Sequence, residues 1–319
     1  MLNEMIRDNY DIQITGLKLL DQYFGTKIYL AETQSKQYIV KMLPLSVPNL
    51  ENEEKITRFL TQNGIQVAKF LLTKNGEGCV KTDQMQFHVQ EFIKGTAYMV
   101  NTAPKWLMDK SALLLGQIHH VLQGYVEMKT NFSRNFFDPS HVNESKQQYF
   151  QRLDQALEAK NTSLTSALKE RIKHLERIER FTIDTDKLTY ANSHGDFYIG
   201  QLVVQDHNVT VIDWTSACKL PIALEVMMSY AFTAPECKCG EISSEGLKRY
   251  ISHYVKHFYL SEYDIKIIPY LYYFQQIICH YSPPYDGIPN TYKPICDLIN
   301  NLTNWLYENT ESLEKELQR

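Results

Sequence analysis

Residues 190–214, YANSHGDFYIGQLVVQDHNVTVIDW, carry the pattern that decides the fold. A His-Gly-Asp triplet ends at Asp196, an amide side chain follows at Gln201, and two short apolar runs lead to a second carboxylate at Asp213. The apolar runs, LVV and VTVI, are typical of the two strands of a hairpin. A plain Gly-Asp turn would explain Gly195, but it does not account for three polar residues at these separations.

The order of these polar residues matches the parts that kinase-type phosphoryl transfer needs. Such a site places an acid beside the acceptor hydroxyl, a polar metal ligand a few residues later, and a carboxylate across a hairpin to hold magnesium. Asp196 is then the candidate general base, while Asp213 and the amide oxygen of Gln201 are candidate Mg²⁺ ligands. For His194 we favour a buried role, hydrogen bonding to the backbone of its own loop, over proton transfer.

The chain divides into a β-rich and a helical part at Gly95. Strand patterns and one helical pattern dominate before it, predicting strands over residues 12–20, 26–33, 38–43, 68–73 and 86–93 and a helix over residues 49–63. After it, apolar residues recur at helical spacing over residues 105–123, over residues 143–181 with a break near Asn161, and again from Leu220. We therefore predict an α+β chain with a β-rich domain, residues 1–95, and a helical domain, residues 96–319.

Lys41 lies inside the apolar segment Tyr38–Leu43, where a lysine must be paired or exposed. One interpretation is a strand lysine that faces outward. The other, favoured by the downstream acid pair, is that Lys41 contacts the α- and β-phosphates of ATP and is held by a carboxylate of the following helix. Glu53 lies on the apolar face of that helix and is the first candidate, and Glu54 is the second.

Two further segments are candidate nucleotide contacts. The turn at Gly25 and Thr26 would lie over the phosphates, through backbone N–H groups and a hydroxyl, although a single glycine is also typical of a plain hairpin turn. Glu91 and Ile93 leave the last predicted strand of the β-rich domain. Backbone N–H and C=O groups there would contact an adenine ring, a placement that depends on the architecture alone.

The His-Gly-Asp triplet, Gln201 and the Ile-Asp-Trp sequence of residues 212–214 resemble the catalytic loop and metal motif of the aminoglycoside phosphotransferase/choline kinase family. Glu225 stands where that family has a structural Asp after a proline, here Pro221, and residues 113–123 are similar to one of its helices. The resemblance covers about residues 12–232.

This resemblance implies a protein-kinase-like fold, with a small antiparallel sheet lobe and a larger, mainly helical lobe. It also implies an enzyme that uses Mg²⁺ to move the γ-phosphate of ATP, or of GTP, to a hydroxyl of a small molecule. The acceptor would be a sugar, an amino sugar or aminoglycoside, or a choline-like compound, and the sequence does not distinguish among them.

Gln201 departs from the Asn that is usual in the family, and its longer side chain displaces the amide oxygen from a metal that tolerates little error in geometry. An alternative function is therefore a catalytically weak or inactive kinase-like structural or binding protein, similar to the kinase-like proteins of bacterial spore coats. A third hypothesis, a metal-dependent phosphatase, would need additional His and Asp ligands, and the remaining histidines form no group with ligand spacing.

The C-terminal part of the chain bears on the acceptor. Residues 230–319 hold 12 of the 21 tyrosines, which favours core packing with some rings lining a groove for a sugar or a quaternary ammonium. The same residues include 11 Asp or Glu and 8 Lys or Arg without an obvious acidic cluster. An aminoglycoside pocket would be expected to gather carboxylates, so this composition weakens antibiotic modification as the role.

Composition excludes some classes of partner. A net charge of −4 and a pI near 6.2 argue against nucleic-acid binding, which normally needs a basic face. No run approaches the length of a membrane span, and the N-terminal residues, interrupted by Asp8 and Asp11, have no apolar core of signal-peptide length. The six cysteines are scattered, and Cys237 and Cys239 match no common zinc spacing. We therefore expect a cytoplasmic protein with reduced thiols and leave its oligomeric state open.

Overall fold

The structure is a computed structural model that describes residues 2–23, 25–47, 50–128, 137, 139–278 and 292–319. The chain forms two compact units. The first contains the described residues of Met1–Tyr98, Val121–Thr130 and Gly200–Cys218, and the second contains those of Met99–His120, Asn131–Ile199 and Lys219–Arg319. The first segment ends close to the boundary predicted at Gly95. The hairpin after Gly200 groups with the first unit, however, although the sequence placed it in the helical domain.

Helices make up most of the second unit and two of the elements of the first. They are α1 (Leu2–Tyr10), α2 (Leu50–Gln62), α3 (Lys105–Leu122), α4 (Pro139–Glu158), α5 (Thr162–Ile178), α6 (Ile222–Thr233), α7 (Ser244–Tyr254), α8 (Glu262–Ile278) and α9 (Lys293–Leu317). The strands are β1 (Gly16–Tyr23), β2 (Thr26–Glu32), β3 (Gln37–Leu43), β4 (Val80–Lys81), β5 (Gln86–Glu91), β6 (Thr96–Ala97), β7 (Tyr190–Ser193), β8 (Leu202–Gln205), β9 (Asn208–Val211) and β10 (Cys218–Pro221).

A five-stranded antiparallel sheet, in the order β1-β2-β3-β5-β4, organises the first unit. Val40 of β3 and Val89 of β5 are paired and fully buried, and they pack with Ile6 of α1 on one face. Neighbouring residues along a strand point to opposite faces. The next pair, Lys41 and His88, therefore lies on the face that α1 does not cover.

Three predictions for the first unit need correction. Helix α1 was not predicted, because a nine-residue helix that buries only Ile6 and Tyr10 leaves too short an apolar pattern to detect. Strand β1 runs over Gly16–Tyr23, later than the predicted residues 12–20. Residues 68–73 were predicted as a strand but form only an isolated bridge, between Phe70 and Gln90.

The hairpin predicted from the LVV and VTVI runs is confirmed as β8 and β9. Asp206 and His207 form its two-residue loop, with φ of 48° and 63°. Two successive residues with positive φ are the signature of a type I′ turn, whose twist matches that of the flanking strands. The short strand β6 adds to the free edge of β8.

The helical pattern of the second unit is confirmed with small changes at the ends. The predicted break near Asn161 separates α4 from α5, because the Asn161 side chain accepts a hydrogen bond from Leu164 N (3.1 Å) as the N-cap of α5. Gly116 lets α3 approach α7 closely, since a Cβ there would lie 2.5 Å from the Tyr254 carbonyl oxygen. Within the described ranges, no helix has the length and apolarity needed to cross a membrane.

Candidate active site

A cluster of charged and polar side chains surrounds Lys41 in the first unit. Its ammonium donates to Asp213 Oδ1 (2.5 Å) and to Thr215 Oγ1 (2.7 Å), and its side chain is 7% exposed. Asp213 follows β9 with a left-handed φ of 60°, a conformation that costs a non-glycine residue about 1–2 kcal/mol. Local strain of this kind persists where surrounding contacts hold it. Here the strained residue, Asp213, is held by its ion pair with Lys41 of β3.

Glu53 reaches this cluster from α2. Its Oε1 accepts from Trp214 N (3.0 Å), and its Oε2 lies 3.3 Å from Thr215 Oγ1. The sequence predicted a direct pairing of Lys41 with Glu53. In the described part of the chain, the ion pair of Lys41 is instead with Asp213, and Thr215 lies between Lys41 and Glu53. The second candidate, Glu54, faces Arg58 one turn further along α2, at 3.4 Å.

Burial raises the pKa of Glu53 to about 7, with Lys41 opposing the shift and Asp213 adding to it. A protonated carboxyl can donate a hydrogen bond. Neutral Glu53 can therefore donate to the Thr215 hydroxyl while that hydroxyl donates to Asp213 Oδ1. His88 lies behind this carboxyl, with its Nδ1 3.7 Å from Glu53 Oε2. Burial lowers the pKa of His88 to about 3, which leaves the proton of this pair on Glu53 rather than on the imidazole.

The raised pKa of Glu53 makes a prediction about stability and pH. A group whose pKa is higher in the folded state contributes stability below its unfolded pKa, 4.5 here, and loses that contribution as the pH rises through about 7. Replacing Glu53 with Gln keeps a donor toward Thr215 and removes the titration. We expect the unfolding free energy of wild type, relative to Glu53→Gln, to fall between pH 5 and pH 7 by up to about 1.4 kcal/mol per pH unit.

Urea unfolding of both proteins across this range measures the difference directly. The subtraction cancels the titration of His88, which both proteins retain and whose lowered pKa acts in the opposite direction. A wild-type to Glu53→Gln difference that stays constant from pH 5 to pH 8 would show that Glu53 titrates normally.

A cavity of about 330 Å³ opens beside the cluster within the first unit. Lys41, Asp213, Glu91 and Ile93 line it, and its volume is within the range of small-molecule sites. The remaining walls are mainly apolar and come from the sheet and the hairpin: Leu20, Ile28, Ile39, Ala68, Gln90, Phe92, Gly95, Ala97, Val203 and Ile212. These apolar walls, with Lys41 and Asp213 beside them, suit a ligand that has a flat ring with polar edges.

The backbone at the rim of this cavity has a defined set of hydrogen bonds. Glu91 N donates to Lys69 O (2.9 Å) and Phe92 N donates to Gln37 O (3.3 Å). Glu91 and Ile93, whose C=O and N–H groups flank Phe92, both line the cavity. The structure thus brings Glu91 and Ile93 together with Lys41 and Asp213.

Gly25 belongs to the turn of the β1–β2 hairpin, and Thr26 begins β2. Phe24, the other residue of this turn, lies outside the described residues. Gly25 has φ of 83°, and a Cβ there would meet Pro44 Cγ at 2.9 Å, so the turn itself requires glycine. Thr26 is buried. A contact of these two residues with phosphates stays a prediction.

Gln201 is buried at the end of a short 3₁₀ turn, immediately before β8. Its carbonyl oxygen accepts from Ile212 N (3.0 Å), which ties the residue to the backbone just before Asp213. Gln201 precedes β8 and Asp213 follows β9, so the two residues lie at the open end of the same hairpin. Whether the amide oxygen of Gln201 binds metal stays a prediction.

Asp196 belongs to the second unit, in the loop that follows β7. Its N–H donates to Nδ1 of the fully buried His194 (3.3 Å), as predicted for that histidine. Helix α6 anchors both ends of the loop, because Glu225 Oε1 accepts from Gly195 N (2.6 Å) and Thr233 Oγ1 accepts from Ile199 N (3.1 Å). The half-buried Asp196 side chain therefore projects from a loop with fixed ends.

Glu225 is the centre of a buried network behind the loop. His119 Nε2 lies 2.8 Å from Glu225 Oε2 and 2.9 Å from Ser193 Oγ, and its Nδ1 lies 2.7 Å from the Tyr254 hydroxyl. Burial favours the neutral acid, but the hydrogen bond and charge of His119, with His194 and Gly195 N, outweigh burial and lower the pKa of Glu225. Because an ionised carboxylate only accepts, His119 Nε2–H must be the donor in this pair.

Sequence reasoning did not identify Thr215, His88 or the apolar walls of the cavity. A threonine after a turn and a histidine in a strand carry no local signal, because their partners are distant in sequence. Tyr272 and Tyr273 are fully buried in α8, which agrees with the core packing expected for most tyrosines of the C-terminal part. Tyr281 and Tyr285 lie outside the described residues.

A sheet that presents a lysine–aspartate pair beside a cavity, and a His-Gly-Asp loop anchored by a buried carboxylate, define the class of protein-kinase-like phosphotransferases. Residues 19–251 match the model of the phosphotransferase enzyme family, and the chain belongs to that family. Its members are small-molecule kinases that phosphorylate hydroxyl groups. The family predicted from the motifs is confirmed.

Solved structures of small-molecule kinases confirm the predicted α+β kinase-like fold. An amicoumacin kinase in complex with AMP-PNP and Ca²⁺ has a TM-score of 0.65 at 15% identity, covering 98% of this chain and 93% of that one. A spectinomycin phosphotransferase in complex with ADP and spectinomycin scores 0.64 at 15% identity, covering 98% of each chain. A microcompartment-associated aminopropanol kinase scores 0.63 at 13% identity, covering 100% of this chain and 98% of that one. At these identities the likeness concerns the fold.

The chain is also similar in sequence to part of a spore coat protein. Spore coat protein S of Bacillus subtilis (strain 168) is 26% identical to this chain over 117 residues. These residues are 37% of this chain and 33% of that protein, so the match spans a third of the relative's length.

Proposed function

We propose that this protein transfers the γ-phosphate of ATP to a hydroxyl of a small molecule with the help of Mg²⁺. The observation that carries the proposal is the cluster in which Lys41 contacts Asp213 beside a cavity of about 330 Å³. An ammonium and a carboxylate at the edge of an apolar cavity are the groups that a nucleotide triphosphate and its metal require.

The cavity suits a nucleotide base at its apolar end. The C=O of Glu91 and the N–H of Ile93 would contact the ring, and either adenine or guanine offers a matching edge, so GTP remains an alternative donor. The Lys41 ammonium has three N–H donors, of which Asp213 and Thr215 take two. The third would contact the α- and β-phosphates, with Gly25 and Thr26 over them.

The oxygen donors of Asp213 and Gln201 fit the preference of Mg²⁺ for hard ligands. Asp213 is 28% exposed and lines the cavity, so it has access to a ligand there. When bound, Mg²⁺ would neutralise charge on the β- and γ-phosphates. Asp213 would hold the ion from the hairpin, and Gln201 would supply an amide oxygen if its longer side chain is accommodated.

Asp196 would accept the proton of the acceptor hydroxyl as it attacks the phosphate. For the acceptor we propose a sugar, an amino sugar or aminoglycoside, or a choline-like amino alcohol. The neighbours that bind spectinomycin and the aminopropanol kinase support this range of hydroxyl compounds.

The five cysteines that the structure describes are free, which supports the proposal of a cytoplasmic protein.

A second candidate function is a catalytically weak or inactive kinase-like structural or binding protein. Two observations favour it: Gln201 in place of the usual Asn, and the partial similarity to spore coat protein S. The presence of Lys41, Asp196 and Asp213 together counts against it, because a purely structural role does not require all three.

Nucleotide binding separates the proposed kinase from a purely structural role. With ATP and Mg²⁺ at about 100 times the dissociation constant, the unfolding free energy should rise by about 2.7 kcal/mol, seen as a higher thermal midpoint. Lys41→Met is the control, and its midpoint should not respond. A wild-type midpoint that ignores ATP and Mg²⁺ would favour the structural role.

A screen for ATP consumption should follow, with aminoglycosides, amino sugars, choline, amino alcohols and simple sugars as acceptors. Turnover with any of them supports the kinase. Nucleotide binding without turnover across the whole panel would favour a binding protein.

A further inference from the structure

The hydroxyl of Thr215 lies among three ionisable groups that come from separate elements of the first unit. Lys41 Nζ on β3 is 2.7 Å from Thr215 Oγ1, Asp213 Oδ1 is 2.8 Å away, and Glu53 Oε2 on α2 is 3.3 Å away. Thr215 is thus the point at which strand, helix and hairpin meet.

The hydrogen-bonding capacity of a hydroxyl defines the direction of each contact. A threonine hydroxyl has one proton to donate and two lone pairs to accept with. Lys41 can only donate, so one lone pair is taken. Asp213, at 2.8 Å against 3.3 Å for Glu53, is the nearer carboxylate and receives the proton. The hydroxyl therefore aligns the ammonium and the Asp213 carboxylate along one chain of hydrogen bonds.

We propose that Thr215 is a positioning residue, which holds Lys41 and Asp213 in the arrangement from which they bind the nucleotide phosphates. This inference rests on the proposed function of the cluster. A nearly buried ammonium samples other rotamers unless its donors are satisfied, and each hydrogen bond to a charged group restricts that freedom. Without the hydroxyl, Lys41 would keep Asp213 as its partner but lose the contact that orients it relative to α2.

The test compares two substitutions that change Thr215 in different ways. Thr215→Val keeps the shape and removes the hydroxyl, whereas Thr215→Ser keeps the hydroxyl and removes the methyl group. We expect Thr215→Val to weaken ADP binding, measured by titration calorimetry with and without Mg²⁺, by about tenfold to a hundredfold, the loss typical of one charge-assisted hydrogen bond. Thr215→Ser should bind ADP like wild type.

Several outcomes separate this inference from the proposed function. If wild type binds no nucleotide, the proposed function fails. If wild type binds and Thr215→Val binds equally well, only the role of Thr215 fails. Equal losses in Thr215→Val and Thr215→Ser would assign the effect to packing of the methyl group and would overturn the proposal. Should Thr215→Val not fold, Thr215→Ala removes the hydroxyl without placing a second methyl beside the charges and carries the same expectation.

Discussion

An Asp196→Asn variant is expected to lose turnover by about 10²–10⁴-fold, the contribution typical of a positioned general base. The amide has nearly the same shape as the carboxylate, but it cannot accept the proton of the acceptor hydroxyl. The loop should keep its conformation, because the substitution leaves in place the anchors made by the backbone N–H groups of Gly195, residue 196 and Ile199. Nucleotide affinity should therefore remain close to that of wild type.

Steady-state rates with an acceptor found in the screen, combined with calorimetric titration of ADP, separate these two effects. Asp206→Asn is a matched control, since Asp206 is exposed in the β8–β9 turn and Asn also tolerates its φ of 48°. That variant should behave like wild type in both measurements. If Asp196→Asn retained full turnover, another residue would have to be the base.

The parts of the site that were predictable from sequence are those in which the signal is local. Asp196, Gln201 and Asp213 occur within one short stretch of sequence, so their spacing alone indicates the chemistry. Lys41 is conspicuous for a similar reason, because a lysine inside an apolar strand needs an explanation. The family and the fold follow from these few residues.

The partners of Lys41 could not be predicted as well, because they depend on how three elements approach one another. The sequence offered Glu53 or Glu54 as the direct partner, and helical periodicity indicated that Glu53 faces inward. It carried no information on Thr215, which lies between Lys41 and Glu53. A single hydroxyl of this kind can be found only from coordinates.

The prediction of secondary structure failed where an element is short or is paired on one side only. Helix α1 buries two residues, and residues 68–73 make only a bridge to β5, so neither has the periodicity of its structural class. The β8–β9 hairpin was predicted although its loop has no glycine. The reason is that the two short apolar runs carry the signal, while Asp206 and His207 adopt positive φ in the turn.

A Glu225→Ala variant is expected to lose about 3–5 kcal/mol of unfolding free energy, the cost typical of removing one partner from a buried charged pair. The change leaves Gly195 N without its acceptor, and it leaves the fully buried His119 Nε2 with only Ser193 Oγ, 2.9 Å away, as a partner. Since folded domains are stable by only about 5–15 kcal/mol, such a loss would leave the protein marginal at physiological temperature. Turnover should fall as well, because Gly195 precedes the proposed base.

Glu225→Gln distinguishes the geometry of this anchor from its charge. The amide oxygen can still accept from Gly195 N, while its NH₂ group faces His119 Nε2, which must then act as the acceptor. His119 can do so by moving the proton to Nδ1 and donating to the Tyr254 oxygen, 2.7 Å away. We therefore expect Glu225→Gln to fold more stably than Glu225→Ala and to retain part of the activity.

Urea unfolding of the two variants, with Glu308→Ala on the exposed surface of α9 as a control, measures the effect. The control should change the unfolding free energy by no more than about 0.5 kcal/mol, as exposed substitutions usually do. If Glu225→Ala were as stable as Glu308→Ala, the network of Glu225, His119 and Tyr254 would not support the fold. A stable Glu225→Ala protein that also kept its turnover would mean that Asp196 is positioned without the bond from Gly195 to Glu225, and that the loop depends on His194 and Thr233 instead.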